Sequence, residues 1–129
     1  MRVADTSAWI EILTKSQLTQ QILAEFPDRG QLIVPTLVQL ELAKWVLRVS
    51  GEANADKVVS YTQKCAIVPL DTATAIRAAE LCHEHKLATA DAIIYATALR
   101  HDAELITCDA HFEGLPGVIY LAKPKPSDS

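Results

Sequence analysis

Short β-type apolar runs alternate with longer segments of helical spacing along almost the whole chain, and this limits the available folds more than any other feature. The runs are 2–5 (RVAD), 31–34 (QLIV), 66–70 (AIVPL) and 104–107 (ELIT), with a fifth at 117–121 (GVIYL). Between them, apolar side chains recur at helical intervals in 8–13, 16–26, 36–49, 52–64, 72–85 and 90–100. Leu37, Leu40, Leu42, Trp45, Val46 and Val49 carry the third of these segments, and Ile93, Ile94, Ala96 and Leu99 the last. Strands joined through helices pair in parallel, because a parallel neighbour needs a crossover rather than a hairpin. The expected fold is therefore α/β: three layers, α/β/α, around a mostly parallel sheet of four to five strands. Right-handed crossovers bring the carboxyl ends of such strands to one edge, where ligands bind.

The 129 residues suit a single domain, half of them hydrophobic and 22% charged. Residues 1–122 are expected to form that domain, and the Pro-, Lys- and Ser-rich 123–129 (KPKPSDS) a flexible tail. No apolar run approaches the ~18–20 residues that span a bilayer. The start, MRVADTSAWIEIL, has neither the apolar stretch nor the small-residue cleavage site of a secretory signal. A cytoplasmic protein without membrane contact is expected. Cys65, Cys82 and Cys108 are odd in number and widely spaced, which favours free thiols over a disulfide framework.

A net charge of −4 is unfavourable for binding phosphate polymers, which usually rely on Lys and Arg. The objection weakens if carboxylates hold cations: with four of the 16 acids set aside, acids and the 12 basic groups balance. Asp5 ends the first run and Asp109 follows the fourth, so both fall at the ligand edge. Neighbouring carboxylates there repel unless a cation lies between them. Asp109 alone also reads as the cap of the AHFEGL turn. Asp91 lies in LATADAIIYATAL, in the first turn of a helix that Thr89 is placed to cap, where the helix dipole favours an acid. That helix is apolar enough to be buried, so a carboxylate within it asks for a partner. Glu41, between Leu40 and Leu42, lies in the second turn of the helix after strand two; it reads equally as a partner of Lys44 or Lys57. Several carboxylates at one edge suit Mg²⁺ or Mn²⁺, which activate water and stabilise charge in phosphoryl displacement.

The segments RVADTSAWIEIL, VPTLVQLELAKWVL, LATADAIIYATAL and LITCDAHF resemble, in order and spacing, the four signature segments of PIN-domain ribonucleases. The likeness is strongest to the VapC-type toxins of toxin–antitoxin pairs and runs from residue 2 to about residue 121. The resemblance implies a metal-dependent endoribonuclease whose catalytic and metal-binding acids are Asp5, Glu41, Asp91 and Asp109. Thr6, Ser7 and Thr107 match hydroxyl positions that orient those carboxylates or hold a water. It further implies Mg²⁺ or Mn²⁺ as cofactor and an RNA substrate such as tRNA or ribosomal RNA. A cognate antitoxin and a homodimer are the implied protein partners. Some relatives carry another acid just beyond the last Asp; here Ala110 and His111 follow instead.

Other features admit plainer readings. CHEHK (82–86) fits no zinc-ligand spacing and suits the end of a helix. Asp71 reads as the cap of the helix at 72–85. Trp9 and Trp45 either stack on a base or belong to a core or dimer face. Lys44 and Arg48 share the helical face of Glu41 and either meet phosphate or face water. Two competing functions are a receiver-like phosphoacceptor module, with Asp71 as acceptor, and a silent PIN-like module that only binds a partner. The first lacks the paired acid beside Asp5, where Thr6 stands, and intact acids at all four positions weigh against the second.

Overall fold

A computed structural model describes residues 1–124. Five strands, β1 (Arg2–Ala4), β2 (Leu32–Pro35), β3 (Ala66–Val68), β4 (Glu104–Thr107) and β5 (Val118–Tyr120), form one sheet in the order β3-β2-β1-β4-β5. Every neighbouring pair is parallel, with Val3 opposite both Ile33 and Leu105. The helices are α1 (Thr6–Leu13), α2 (Thr19–Glu25), α3 (Thr36–Ser50), α4 (Glu52–Thr62), α5 (Thr72–His85) and α6 (Thr89–Arg100). The chain moves one way along the sheet from β1 to β3, then crosses back to β4 on the far side of β1. Right-handed crossovers assign α1–α4 to one face and α5–α6 to the other. The three-layer α/β/α architecture is as expected, with five strands and no antiparallel pair among the described residues.

Burial follows position in the sheet. Val3 and Ala4, Leu32–Val34 and Leu105–Ile106 in the three central strands are buried, as strands covered on both faces require. The edge strands β3 and β5 are only half-buried. Val38, Leu42 and Val46 form the inward stripe of α3, at i, i+4 and i+8. Spacing alone counts Leu40 and Val49 with this stripe, yet they are 62% and 55% exposed. The helix is apolar on two faces, and one sheet covers only one of them. Helix α6 buries Ala92, Ile94, Tyr95, Ala96, Thr97 and Ala98, so it is enclosed nearly all round. Its alanines let the backbone run close to β1 and β4, which it contacts along with α5 and α3.

Local chemistry sets the element ends. Gly51, at φ +90°, makes the sharp link between α3 and α4 that a side chain would strain. Asp71 caps α5 by accepting the Thr74 N–H at 2.8 Å, as expected. Thr89 does not cap α6: it is the first helical residue, and Ala88 before it offers no side-chain bond. Cys65, Cys82 and Cys108 are free. Most of the 123–129 tail lies outside the described residues, but its first residue, Lys123, is described. No helix is long and apolar enough to cross a membrane among the described residues.

Candidate active site

The strand order reverses at β1, whose neighbours β2 and β4 are reached by crossovers in opposite directions. A crevice opens at such a switch point, outside the carboxyl ends of the strands. Here it is a cleft of about 260 Å³ lined by Asp5, Thr6, Ser7, Glu41, Asp91 and Asp109, with Ile10, Ile94 and Lys123 completing the wall. Four elements deliver the acids: Asp5 leaves β1, Glu41 lies on α3, Asp91 in the first turn of α6, and Asp109 two residues past β4.

Asp5 is the most constrained of them. It is 3% exposed and caps α1, its Oδ1 accepting the Ala8 N–H at 3.0 Å and the Ser7 hydroxyl at 2.7 Å. Its Oδ2 accepts the Thr107 hydroxyl at 2.5 Å, across from β4. The Thr107 oxygen in turn accepts the Asp109 N–H at 2.9 Å, and the Ser7 oxygen accepts the Cys108 N–H at 3.0 Å. Two of these bonds, Thr107 to Asp5 and Cys108 to Ser7, tie the end of β4 to the start of α1 around one carboxylate. Burial raises the Asp5 carboxyl above its ordinary range, and the bonds from Thr107, Ser7 and Ala8 oppose that rise. Thr6 faces the other way: its hydroxyl donates to Glu41 Oε1 at 2.6 Å. Glu41 forms no ion pair with Lys44 or Lys57 among the described residues; the hydroxyl of Thr6 takes the place of either lysine.

Asp91 shows what the convergence costs. Its carboxyl is pushed up to about 6, first by burial and then by the charges of Asp109, Asp5 and Glu41, with His111 opposing. Asp109 caps the turn that follows β4, Oδ1 accepting the His111 N–H at 2.9 Å. The capping readings of Asp109 and Asp71 are thus real, Asp5 proves to be a cap as well, and of the three only Asp5 and Asp109 line the cleft. The thiol of Cys108 is pushed up to about 11 by burial and by the Asp5 carboxylate, so at neutral pH it is no nucleophile.

The donor set fits a divalent cation. Oxygen ligands converge, Asp5 is already oriented by hydroxyls, and the mutual repulsion felt at Asp91 is what a bound cation relieves. The triad of Asp91, Asp109 and His111 brings one donor atom from each within 4.8 Å of the others.

The two tryptophans divide between the readings that the sequence left open. Trp9 does not reach the cleft as an RNA contact: it is 3% exposed, packed edge-on against Phe26 and Tyr61 with centroids at 5.6 and 6.0 Å. Its position on α1 turns it under the helix while Thr6 and Ile10 face the cleft. Trp45 instead lines a second cleft with Thr6, Ile10, Glu41, Lys44 and Arg48, so the basic pair stands beside the acids. Residues that the sequence reading missed are Lys123, assigned to the tail yet on the cleft wall, and His111. His111 was visible two residues beyond Asp109, but nothing local to the sequence says that its ring turns back. Asp71 caps α5 after the edge strand β3 and is absent from the cleft, which removes the basis of the receiver reading.

Comparison with known proteins agrees with the geometry. The description of the PIN domain matches residues 2–118, and the chain belongs to the PIN-domain family. The fold is similar to a chain in a toxin–antitoxin complex from Klebsiella pneumoniae, with 27% identity, TM-score 0.81, and coverage of 92% of this chain and 96% of that one. It is similar also to VapC20 from Mycobacterium tuberculosis, described as a sarcin–ricin loop cleaving toxin (14% identity, TM-score 0.77, 95% and 100% covered). A third similar structure is VapBC2 from Rickettsia felis bound to a promoter DNA fragment (18%, TM-score 0.73, 94% and 97%). No curated protein sequence matches.

Proposed function

We propose that this protein is a metal-dependent endoribonuclease, the toxin of a type II toxin–antitoxin pair. The observation that supports this reading best is the meeting of Asp5, Glu41, Asp91 and Asp109 in one cleft at the switch point of a PIN-domain sheet. Those four acids would hold Mg²⁺ or Mn²⁺. When bound, the ion supplies a Lewis acid that activates water and neutralises charge developing on the phosphoryl oxygens. The chain's own groups do the rest. Thr107 and Ser7 hold Asp5 in one rotamer, and Thr6 holds Glu41. Lys44 and Arg48 lie along the adjoining cleft and take the phosphates that flank the cut. No side chain serves as nucleophile: water attacks phosphorus, the bond to the 3′ oxygen breaks as the family likeness implies, and the products carry a 5′-phosphate and a 3′-hydroxyl. A structured RNA, tRNA or ribosomal RNA, is the substrate class.

The partners follow from the same family reading. Similar structures are toxin–antitoxin complexes, and an antitoxin is proposed for this chain too. An apolar groove of about 270 Å³ between α1, α2 and α4, separate from the acid cleft and lined by Trp9, Ile12, Leu23, Phe26, Val58 and Tyr61, suits an amphipathic segment of that partner. Leu40 and Leu47 on α3 and Ile76 on α5, each more than half exposed, supply apolar surface for a homodimer. The test is cleavage of total RNA in Mg²⁺ against EDTA, with product ends mapped. Cleavage is expected only with the metal and is lost in Asp5→Asn with the circular dichroism spectrum unchanged. A variant that cuts as fast as the parent overturns the assignment.

A further inference from the structure

The acids do not exhaust the donors at this cleft. His111 follows Asp109 by two residues in the tight turn Ala110–Phe112, which fully buried Phe112 anchors. Its side chain is 77% exposed, yet it does not point away: Nδ1 lies 3.0 Å from Asp109 Oδ1 and 3.9 Å from Asp91 Oδ2. Donors each about 2.1 Å from a common ion lie about 3.0 Å apart at a right angle and about 4.2 Å apart when opposite. Both of the ring's separations fall within that range. We infer that His111 is a direct nitrogen ligand of the ion bound by Asp91 and Asp109, and that it biases the site toward Mn²⁺ and other first-row transition metals over Mg²⁺. The inference rests on the metal-dependent reading above and names a ligand that the four acids do not include.

The chemistry gives the direction. Imidazole nitrogen binds transition ions well, whereas Mg²⁺ prefers carboxylate and water oxygen. With acids alone, the cleft would discriminate weakly between Mg²⁺ and Mn²⁺. One imidazole adds affinity for the second ion and little for the first. Because the ring is mostly in water, removing it leaves the core and the Phe112 anchor untouched.

The test measures the metal directly. Pulsed electron paramagnetic resonance of the protein loaded with Mn²⁺ should show coupling to a directly bound nitrogen, lost in His111→Ala. Titration of the same two proteins with each ion alone should show Mn²⁺ affinity falling by about tenfold or more in the variant. Mg²⁺ affinity should change less than about twofold on the same reasoning about ligand type. Binding of Mn²⁺ with no nitrogen coupling, or coupling that persists in the variant, overturns the inference and leaves the nuclease reading intact. Tighter binding of both ions by the variant also overturns it, since the ring would then be a resident counter-ion of Asp109. Failure of the parent to bind either ion overturns both readings.

Discussion

Replacing Asp91 by Asn should stabilise the metal-free protein while abolishing RNA cleavage, and the size of the gain can be worked from the cleft. The Asp91 carboxyl stands at about 6 instead of 3.8 because burial and three neighbouring carboxylates disfavour its charge. A shift of that size corresponds to about 3 kcal/mol against the folded state once the group is ionised. With 23% of the side chain exposed, solvent screening reduces the figure. Asn also forgoes the favourable position of an acid in the first turn of α6, worth about 0.3–1 kcal/mol. A net gain of roughly 1–2 kcal/mol remains. The sign with pH follows from the raised value. Below 3.8 the carboxyl is protonated whether the chain is folded or unfolded, and the penalty is absent. Between there and about 6 the folded state holds the proton that the unfolded state has lost, so this group's contribution to stability falls as pH rises through the window. Above it the penalty is complete. Urea denaturation in EDTA should therefore give coincident midpoints for parent and Asp91→Asn at the acid end of the window, and a higher midpoint for the variant at pH 8. Saturating Mn²⁺ should reverse the order at pH 8, because only the parent keeps the ligand. A variant no more stable than the parent at pH 8 in EDTA would refute the claim that these carboxylates converge.

The Thr107 hydroxyl should prove structural as well as orienting. Thr107→Val leaves buried Asp5 without a donor on Oδ2 and should cost about 1.5–3 kcal/mol in urea denaturation, with Thr107→Ser restoring most of it. If Val is tolerated at pH 8 without loss, the hydroxyl is not what holds Asp5. At Trp9 the indole N–H is buried with no partner among the described residues, so Trp9→Phe removes a polar burden along with some volume. Its cost should stay within about 1.5 kcal/mol, and Trp9→Ala should cost about 3–5 kcal/mol. RNA affinity of Trp9→Phe, measured by fluorescence anisotropy, should equal that of the parent; a clear drop would return Trp9 to the RNA surface.

The receiver-like alternative and the nuclease reading use the same kind of sheet, and the site separates them. Both need an acid after the first strand. Only the PIN arrangement uses Glu41 and Asp91, which reach the edge from α3 and α6 rather than from strand ends. That is also why Glu41 was ambiguous from spacing alone: an acid on an apolar helix is equally a salt-bridge partner until its neighbour is known. The neighbour proves to be Thr6, 35 residues away.

Much of this protein is local and so was legible in the sequence. Apolar runs and helical spacing placed five strands and six helices within a few residues, because each depends on neighbours along the chain. Asp71 as a cap was likewise local, since a cap bonds to an amide three residues on. The four acids could be named from their positions in the motifs. Tertiary structure alone decided what those acids are next to. Thr107 meets Asp5 across 102 positions only because the crossover from β3 carries β4 past β2 to the free side of β1. Sequence spacing contains no term for strand order. The same holds for Leu40 and Val49: periodicity shows that a helix is apolar on a face, but only the packed layers show which apolar face the sheet covers. Trp9 turns inward, Trp45 faces the cleft, and the ring of His111 turns back to Asp109 and Asp91. Each orientation follows from where the neighbouring elements lie, which no window of the sequence records.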